Sequence, residues 1–160
     1  MIHTRPPLRP SVPPGGAPVG HVADLPAFEA TALALVRLWQ AGHVQQLGAM
    51  FHSKLGPCDG DDAIAALDDL MRFIGVNGRR PLAFHHPDCT CFGGDESALT
   101  RLIAAAASGH DEEAALLALH LVPAQHPDRL VHQAAWAGAA IFPLAELAAA
   151  ATQALTATRH

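Results

Sequence analysis

The sequence predicts an all-α protein: a compact bundle of six or seven short helices, partly arranged as helical hairpins. Half of the 160 residues are hydrophobic but only 5% are aromatic. Alanine and leucine, which are strong helix formers, supply most of the apolar side chains. Apolar residues recur three and four positions apart in several segments, as they do on one face of a helix. No segment shows sustained alternation of apolar and polar residues, so no strand is predicted.

The N-terminal segment is predicted to be an arm outside the helical domain. Six of the 13 prolines and three of the 13 glycines fall within the first 20 residues. A segment of this composition forms few regular hydrogen bonds and buries little apolar surface. We therefore expect residues 1–21 to be disordered or extended, and residues 22–158 to form a single helical domain.

The first helical hairpin is predicted to join residues 24–41 to residues 43–55. Pro26 suits the opening turn of a helix, and Gly42 suits the position just after its end. The connection is very short, which favours two antiparallel helices in contact. The predicted apolar faces are Phe28, Ala32, Leu35, Val36 and Trp39 on the first helix, and Val44, Leu47, Phe51 and Leu55 on the second.

A third helix is predicted from residue 59 to Asn77, where Gly78 follows. The aspartates at its start favour the positive end of the helix dipole. Its apolar face comprises Ile64, Leu67, Met71 and Ile74.

A second hairpin is predicted from residues 95–108 and 111–122, with Gly109 between the two helices and Pro123 after them. Residues 127–142 and 143–155 complete the bundle. Pro143 is expected either to separate these last two helices or to kink one long helix.

The strongest chemical signal lies in the predicted loop 78–94, in the stretch FHHPDCTCFGG. His85, Cys89 and Cys91 have the spacing H-x3-C-x-C. Imidazole nitrogen and thiolate sulfur are the ligands that zinc prefers in tetrahedral sites. Pro87 disfavours helical geometry in the residue before it, so the segment is expected to bend and wrap an ion.

We therefore predict a metal site, with zinc as the cofactor and His85, Cys89 and Cys91 as ligands; His86 is the alternative imidazole. Three ligands leave one position open. His86, Asp88, Cys58, His52, a more distant histidine, a second copy of the chain or a water molecule are the alternatives for it. No general base stands out, so the metal is expected to be structural or regulatory rather than catalytic. Whether the protein is an enzyme is left open.

Two other functions are consistent with the same residues. Cys89 and Cys91 could form a strained and easily reduced disulfide, which suits a thiol redox sensor. Alternatively, the alanine-rich helices could pair into a homodimer or bind a protein partner, with no metal involved. Trp39 and Trp136 lie among apolar residues and are expected to pack in the core or in a dimer interface.

The segment GRRPLAFHHPDCTCFGGDESALTRLIAAAASG resembles the central part of a small family of all-helical bacterial proteins, chiefly α-proteobacterial. Members carry R-P-L, then H-x3-C-x-C, then an acidic pair that opens a helix. The matching positions are Arg80, Pro81, Leu82, His85, Cys89, Cys91, Asp95 and Glu96. The family has no assigned activity, so the resemblance implies the helical fold and the importance of the loop, but no reaction.

Charge and hydropathy argue against two classes of partner. The net charge is −5, with 10 basic and 15 acidic residues, and no basic stripe suits nucleic acid. No run approaches the roughly 20 apolar residues of a membrane span, and the N-terminus lacks the apolar core of a signal peptide. We therefore predict a cytoplasmic protein, in which three cysteines are more consistent with thiols or metal ligands than with a disulfide framework.

Overall fold

The computed structural model describes residues 11–157, except for the side chain of Thr156. These residues form six α-helices and a small two-stranded sheet, which confirms the predicted all-α class. The helices are α1 (Ala27–Gln40), α2 (Val44–Leu55), α3 (Pro57–Asn77), α4 (Gly94–Ala107), α5 (Asp111–Leu121) and α6 (Pro127–Ala157). The strands are β1 (Pro18–His21) and β2 (Cys91–Gly93), and a 3₁₀ turn (Val22–Asp24) links β1 to α1.

The longest helix, α6, is the centre of the bundle. It packs against each of the other five helices, and its buried residues include Leu130, Ala134, Ala137 and Ile141. Pro143 lies inside α6, so the two segments predicted around it form one helix. By length and composition alone, Pro127–Leu155 could cross a membrane, but the core helix of a soluble protein passes the same test.

The residues of the apolar faces predicted from spacing lie in the core or pack against it, with one exception. Leu35, Phe51 and Leu67 are fully buried, whereas Val44, at the first position of α2, is 65% exposed. Trp136 is also exposed, so the prediction that it packs in the core is wrong. Trp39 is partly buried against the core, and its indole nitrogen donates a hydrogen bond to Asp68.

Gly138 allows α6 to approach α4 closely. A Cβ atom there would lie 2.6 Å from the Cβ of Ala107 and 3.0 Å from the carbonyl oxygen of Ile103. Gly75, on α3, has no atom within 4 Å of the same added group. Both glycines lie inside helices, but only Gly138 is tightly packed, so Gly75 is a matched control for substitutions at Gly138.

We expect Gly75→Ala to raise the free energy of unfolding by about 0.5–1 kcal/mol, because alanine is the better helix former. Gly138→Ala gains the same propensity but overpacks the α4–α6 contact, which costs about 1–3 kcal/mol. Urea unfolding of both variants should give Gly138→Ala the lower stability. Equal stabilities would contradict the close packing seen at Gly138.

The expectation that the chain has no strand is wrong for two short segments. β1 and β2 pair antiparallel, with Pro18 opposite Gly93, Gly20 opposite Phe92 and His21 opposite Cys91. Strands of four and three residues are too short to show an alternating pattern, and β1 contains a proline and a glycine. β1 also lies within the predicted arm; residues 1–10 of that arm are outside the described residues.

Candidate metal centre

A buried ion pair between α1 and α4 supports the loop. Arg37 and Glu96 are 2% and 0% exposed, respectively. The guanidinium binds the carboxylate through two hydrogen bonds: Nε donates to Oε1 at 2.7 Å and Nη2 donates to Oε2 at 3.0 Å. Paired contacts of this kind are among the strongest polar interactions in proteins. They fix α1 relative to the start of α4.

The same two side chains hold the backbone around the cysteines. Arg37 Nη1 donates to the carbonyl of Cys89 at 2.8 Å, and Nη2 donates to the carbonyl of Cys91 at 2.7 Å. The carboxylate of Glu96 accepts the backbone N–H groups of His85, at 3.0 Å, and Gly93, at 2.9 Å. The backbone of all three predicted ligand residues is therefore bound to one buried pair.

A second ion pair supports the residues before the loop. Nη1 and Nη2 of Arg80 donate to Asp95, at 2.6 and 2.7 Å, and the backbone N–H of Ala83 donates to the same carboxylate at 2.8 Å. The backbone N–H of Asp95 donates to the carbonyl of Gly15, in the turn closed by the hydrogen bond from Gly16 to Pro13, and so joins this turn to α4. Asp95 and Glu96, the acidic pair at the start of α4, therefore both bind the backbone of the loop and hold it in place.

The environment of Glu96 keeps its carboxyl group ionised. Burial alone would raise its pKa, but hydrogen bonds from Arg37, Gly93 and His85 outweigh burial and lower the pKa below the usual value of 4.5. A lowered pKa in the folded state stabilises the fold above the unfolded-state pKa. This contribution is lost as the pH falls through the folded-state pKa.

We expect Glu96→Gln to be less stable than the wild type at pH 7. The difference should narrow below about pH 4.5, where the carboxyl group begins to bind a proton in the unfolded wild type. Urea unfolding at several pH values measures this difference. Glu112→Gln, at an exposed position on α5, is the control and should follow the wild-type profile. A difference between Glu96→Gln and wild type that is constant from pH 7 to pH 3 would contradict the ionised pair.

The three predicted ligands converge. The Nδ1 atom of His85 lies 3.4 Å from the Sγ atom of Cys91 and 3.9 Å from that of Cys89, and the two sulfurs are 2.9 Å apart. All three donor atoms lie within 4.8 Å of one another, close enough to hold one metal ion. With Zn–S bonds of about 2.3 Å, a tetrahedral zinc would separate the sulfurs to about 3.8 Å. Rotation of the two cysteine side chains about their Cα–Cβ bonds would have to widen the 2.9 Å separation by about 0.9 Å.

Hydrogen bonding orients the ring of His85 for metal binding. Its Nε2 atom lies 2.7 Å from the carbonyl oxygen of Gly16, which can only accept, so Nε2 carries the hydrogen. Nδ1 faces the two sulfurs and lies 3.2 Å from the carbonyl oxygen of Cys91, to which the protonated ring donates. In the neutral ring, with its hydrogen on Nε2, the lone pair of Nδ1 would be open to an ion. Metal-bound histidines usually donate a hydrogen bond from the N–H of their other ring nitrogen to a carbonyl or carboxylate in this way.

Protons and a metal ion would compete for the same atoms. The pKa of His85 is raised, first by the hydrogen bond to Gly16 and also by the carbonyl of Cys91. The pKa of Cys89 is lowered, chiefly by a hydrogen bond from Cys91, whose own pKa is raised as the donor. Cys89 is therefore the thiol that ionises first. Metal binding would displace the protons held by Cys91 and His85.

The structure does not bring His86, Cys58 or His52 to this cluster. The His86 side chain is 73% exposed, and its Nδ1 accepts the backbone N–H of Asp88 at 3.3 Å. Cys58 is exposed in the first turn of α3, and His52 pairs with Asp61 at 2.8 Å. Among the described residues, only His85, Cys89 and Cys91 form a group with metal-binding geometry.

Sequence reasoning missed the roles of Arg37 and Glu96. Arg37 lies between Val36 and Leu38, which are both buried, so its position on the apolar side of α1 was a usable signal. Glu96 was interpreted only as part of the acidic start of a helix. Glu96 does cap the N-terminus of α4, because its carboxylate accepts a hydrogen bond from the backbone N–H of Gly93. The same carboxylate also binds Arg37.

Comparisons with known protein families, with curated proteins and with solved structures give no significant match to this chain. The resemblance to the small helical bacterial family stays a prediction.

Proposed function

We propose that this protein binds one zinc ion through His85, Cys89 and Cys91, and that the metal has a structural or regulatory role. One observation carries the proposal: the three donor atoms converge within 4.8 Å of one another. Soft thiolates combined with an imidazole suit zinc, whereas magnesium and calcium prefer oxygen ligands. A cytoplasmic location, where the thiols stay reduced, belongs to the same proposal.

The contacts of the loop indicate what the metal would stabilise. Arg37 and Glu96 bind the backbone of the loop, and both charges of the pair are compensated. The ligand side chains are only partly buried, and Nδ1 of His85 lies 3.7 Å from the carboxylate of Glu96. An ion would join these side chains and complete the cross-linking of α1, β2 and α4. Loss of the ion would loosen the loop without opening the core, which suits a regulatory site.

Metal analysis tests the proposal. Protein purified without a histidine tag should contain about one zinc per chain. A chelator should remove the zinc, and added zinc should restore it. Wild-type protein that neither retains nor rebinds zinc would overturn the proposal.

A thiol switch is the second candidate, and the 2.9 Å separation of the two sulfurs favours it. Hydrogen peroxide would oxidise the two thiols to one disulfide, with the peroxide oxygens leaving as two water molecules. Cys89, whose pKa is lowered, would attack the peroxide first. Mass spectrometry of metal-free protein should then show the loss of two hydrogen atoms, reversed by a reductant. No change under mild peroxide would rule out the switch.

Self-association is the third candidate, favoured by apolar side chains on the surface of α6. Trp136, Phe142 and Leu147 are 64%, 54% and 47% exposed. Exposed apolar groups of this size are common in interfaces between proteins. Light scattering should give the mass of a homodimer if this proposal holds, and Trp136→Ser should shift the mass toward that of the monomer.

A further inference from the structure

We infer that His21, the last residue of β1, supplies the fourth ligand of the ion held by His85, Cys89 and Cys91, an assignment that rests on the proposed zinc site. His21 is exposed and lies 64 positions before His85 in the chain, so neither spacing nor burial marks it. The register of the two-stranded sheet places it at the site.

The pairing of the strands brings His21 next to Cys91. The two residues lie directly opposite each other in the antiparallel ladder. The backbone N–H of Val22 donates to the carbonyl of Thr90 at 2.8 Å, so the next pair along is a hydrogen-bonded one. Hydrogen-bonded and non-hydrogen-bonded pairs alternate, which makes His21–Cys91 a non-hydrogen-bonded pair. Side chains are closest in such pairs, with Cα atoms about 4.5 Å apart.

The neighbouring pair shows which side of the sheet these side chains occupy. A Cβ atom added to Gly20 would lie 2.7 Å from Cζ of Phe92, so the side chain of Phe92 covers Gly20 on one face. Phe92 is buried on that face. Because side chains alternate along a strand, Cys91 and His21 share the opposite face. That face is where the sulfur of Cys91 meets Cys89 and His85.

Open space lies between His21 and one of the ligands, Cys89; the ring of His21 is not within 4.8 Å of all three ligand atoms and would have to turn toward them. A surface cavity of about 460 Å³ is lined by both His21 and Cys89, together with Val22, Ala23, Asp24 and Thr90. Cβ atoms of directly opposed residues are about 4.5–5.5 Å apart, within reach of an imidazole that swings toward the partner's sulfur. The side chain of His21 is exposed and is not part of the core, so its rotation toward this space would break no core packing.

The cavity also contains a carboxylate that would be available to the second nitrogen of His21. Asp24 lines the same cavity and is exposed. A zinc-bound imidazole commonly donates its other N–H to a carboxylate, which orients the ring and raises its basicity. His21 would complete a Cys₂His₂ set, the composition of a closed structural zinc site. The metal would then join the N-terminal strand to the loop.

Cobalt and zinc titrations of the full chain test this assignment, with His86→Ala as the matched control. Cobalt(II) reports on coordination through its d–d and sulfur-to-metal absorption bands. His21→Ala should shift the d–d bands and weaken zinc binding at least about tenfold in competition with a chelator. His86→Ala should behave as the wild type. An unchanged His21→Ala, or the same loss in His86→Ala, would overturn the assignment.

A second variant separates ligation from a merely structural effect. His21→Cys should keep tight binding and increase the intensity of the sulfur-to-cobalt band, because three sulfurs would then bind the ion. A band of unchanged intensity would overturn the assignment. Failure of the wild type to bind either metal would instead overturn the proposed zinc site. Tight binding by the wild type and by His21→Ala alike would leave that site standing and remove only His21.

Discussion

Replacing Arg37 with alanine is expected to lower the free energy of unfolding by about 3–5 kcal/mol. The substitution leaves the carboxylate of Glu96 buried with no compensating charge, and it leaves the carbonyls of Cys89 and Cys91 without their donors. Removing one partner of a buried pair costs far more than an exposed pair contributes. Urea unfolding followed by circular dichroism measures the change.

Arg101→Ala is the matched control for Arg37→Ala. Arg101 also pairs with a glutamate, Glu113, at 2.8 Å, but the two side chains are 54% and 46% exposed. Exposed pairs contribute about 0–1 kcal/mol, so this variant should remain close to the wild type. Similar losses in the two variants would show that the buried pair with Glu96 has no special role. Arg37→Ala should also weaken zinc binding, since the ligand loop loses its support.

Replacing either ligand cysteine with serine is expected to weaken zinc binding by at least about 100-fold. Serine keeps the size of the side chain but offers zinc a much poorer donor than thiolate. Competition with a chromophoric chelator measures the affinity of Cys89→Ser and Cys91→Ser.

Cys58→Ser is the control for these variants, because Cys58 is an exposed thiol on α3, outside the cluster. It should bind zinc as the wild type does. If all three serine variants bind equally well, the metal is held elsewhere. If Cys58→Ser alone loses the metal, the ligand set is wrong.

The sequence predicted the helices well because their signal is local. Apolar spacing, Gly42 and Gly109 marked where α1, α2, α4 and α5 begin and end to within a few residues. α6 is the exception. A proline inside a helix removes one hydrogen bond, but packing of α6 against all the other helices outweighs that loss, so the segments remain joined.

The ligand cluster was predictable in part, for a physical reason. His85, Cys89 and Cys91 lie within seven residues, so their convergence needs only a bend in one loop. The supports of that loop come from distant segments: Arg37 and Gly16 are 59 and 69 residues, respectively, from their side-chain partners Glu96 and His85. No local pattern specifies such contacts. The pairing of β1 with β2, on which the assignment of His21 depends, is equally non-local.

X-ray absorption at the zinc edge tests the central claim most directly, because it measures the atoms around the ion. Zinc-loaded protein without a tag should show two sulfur neighbours at about 2.3 Å and nitrogen or oxygen neighbours at about 2.0–2.1 Å. Cys91→Ser should lose one of the two sulfurs. A zinc ion surrounded only by nitrogen and oxygen, or by four sulfurs, would contradict convergence of Cys89, Cys91 and His85 on one ion.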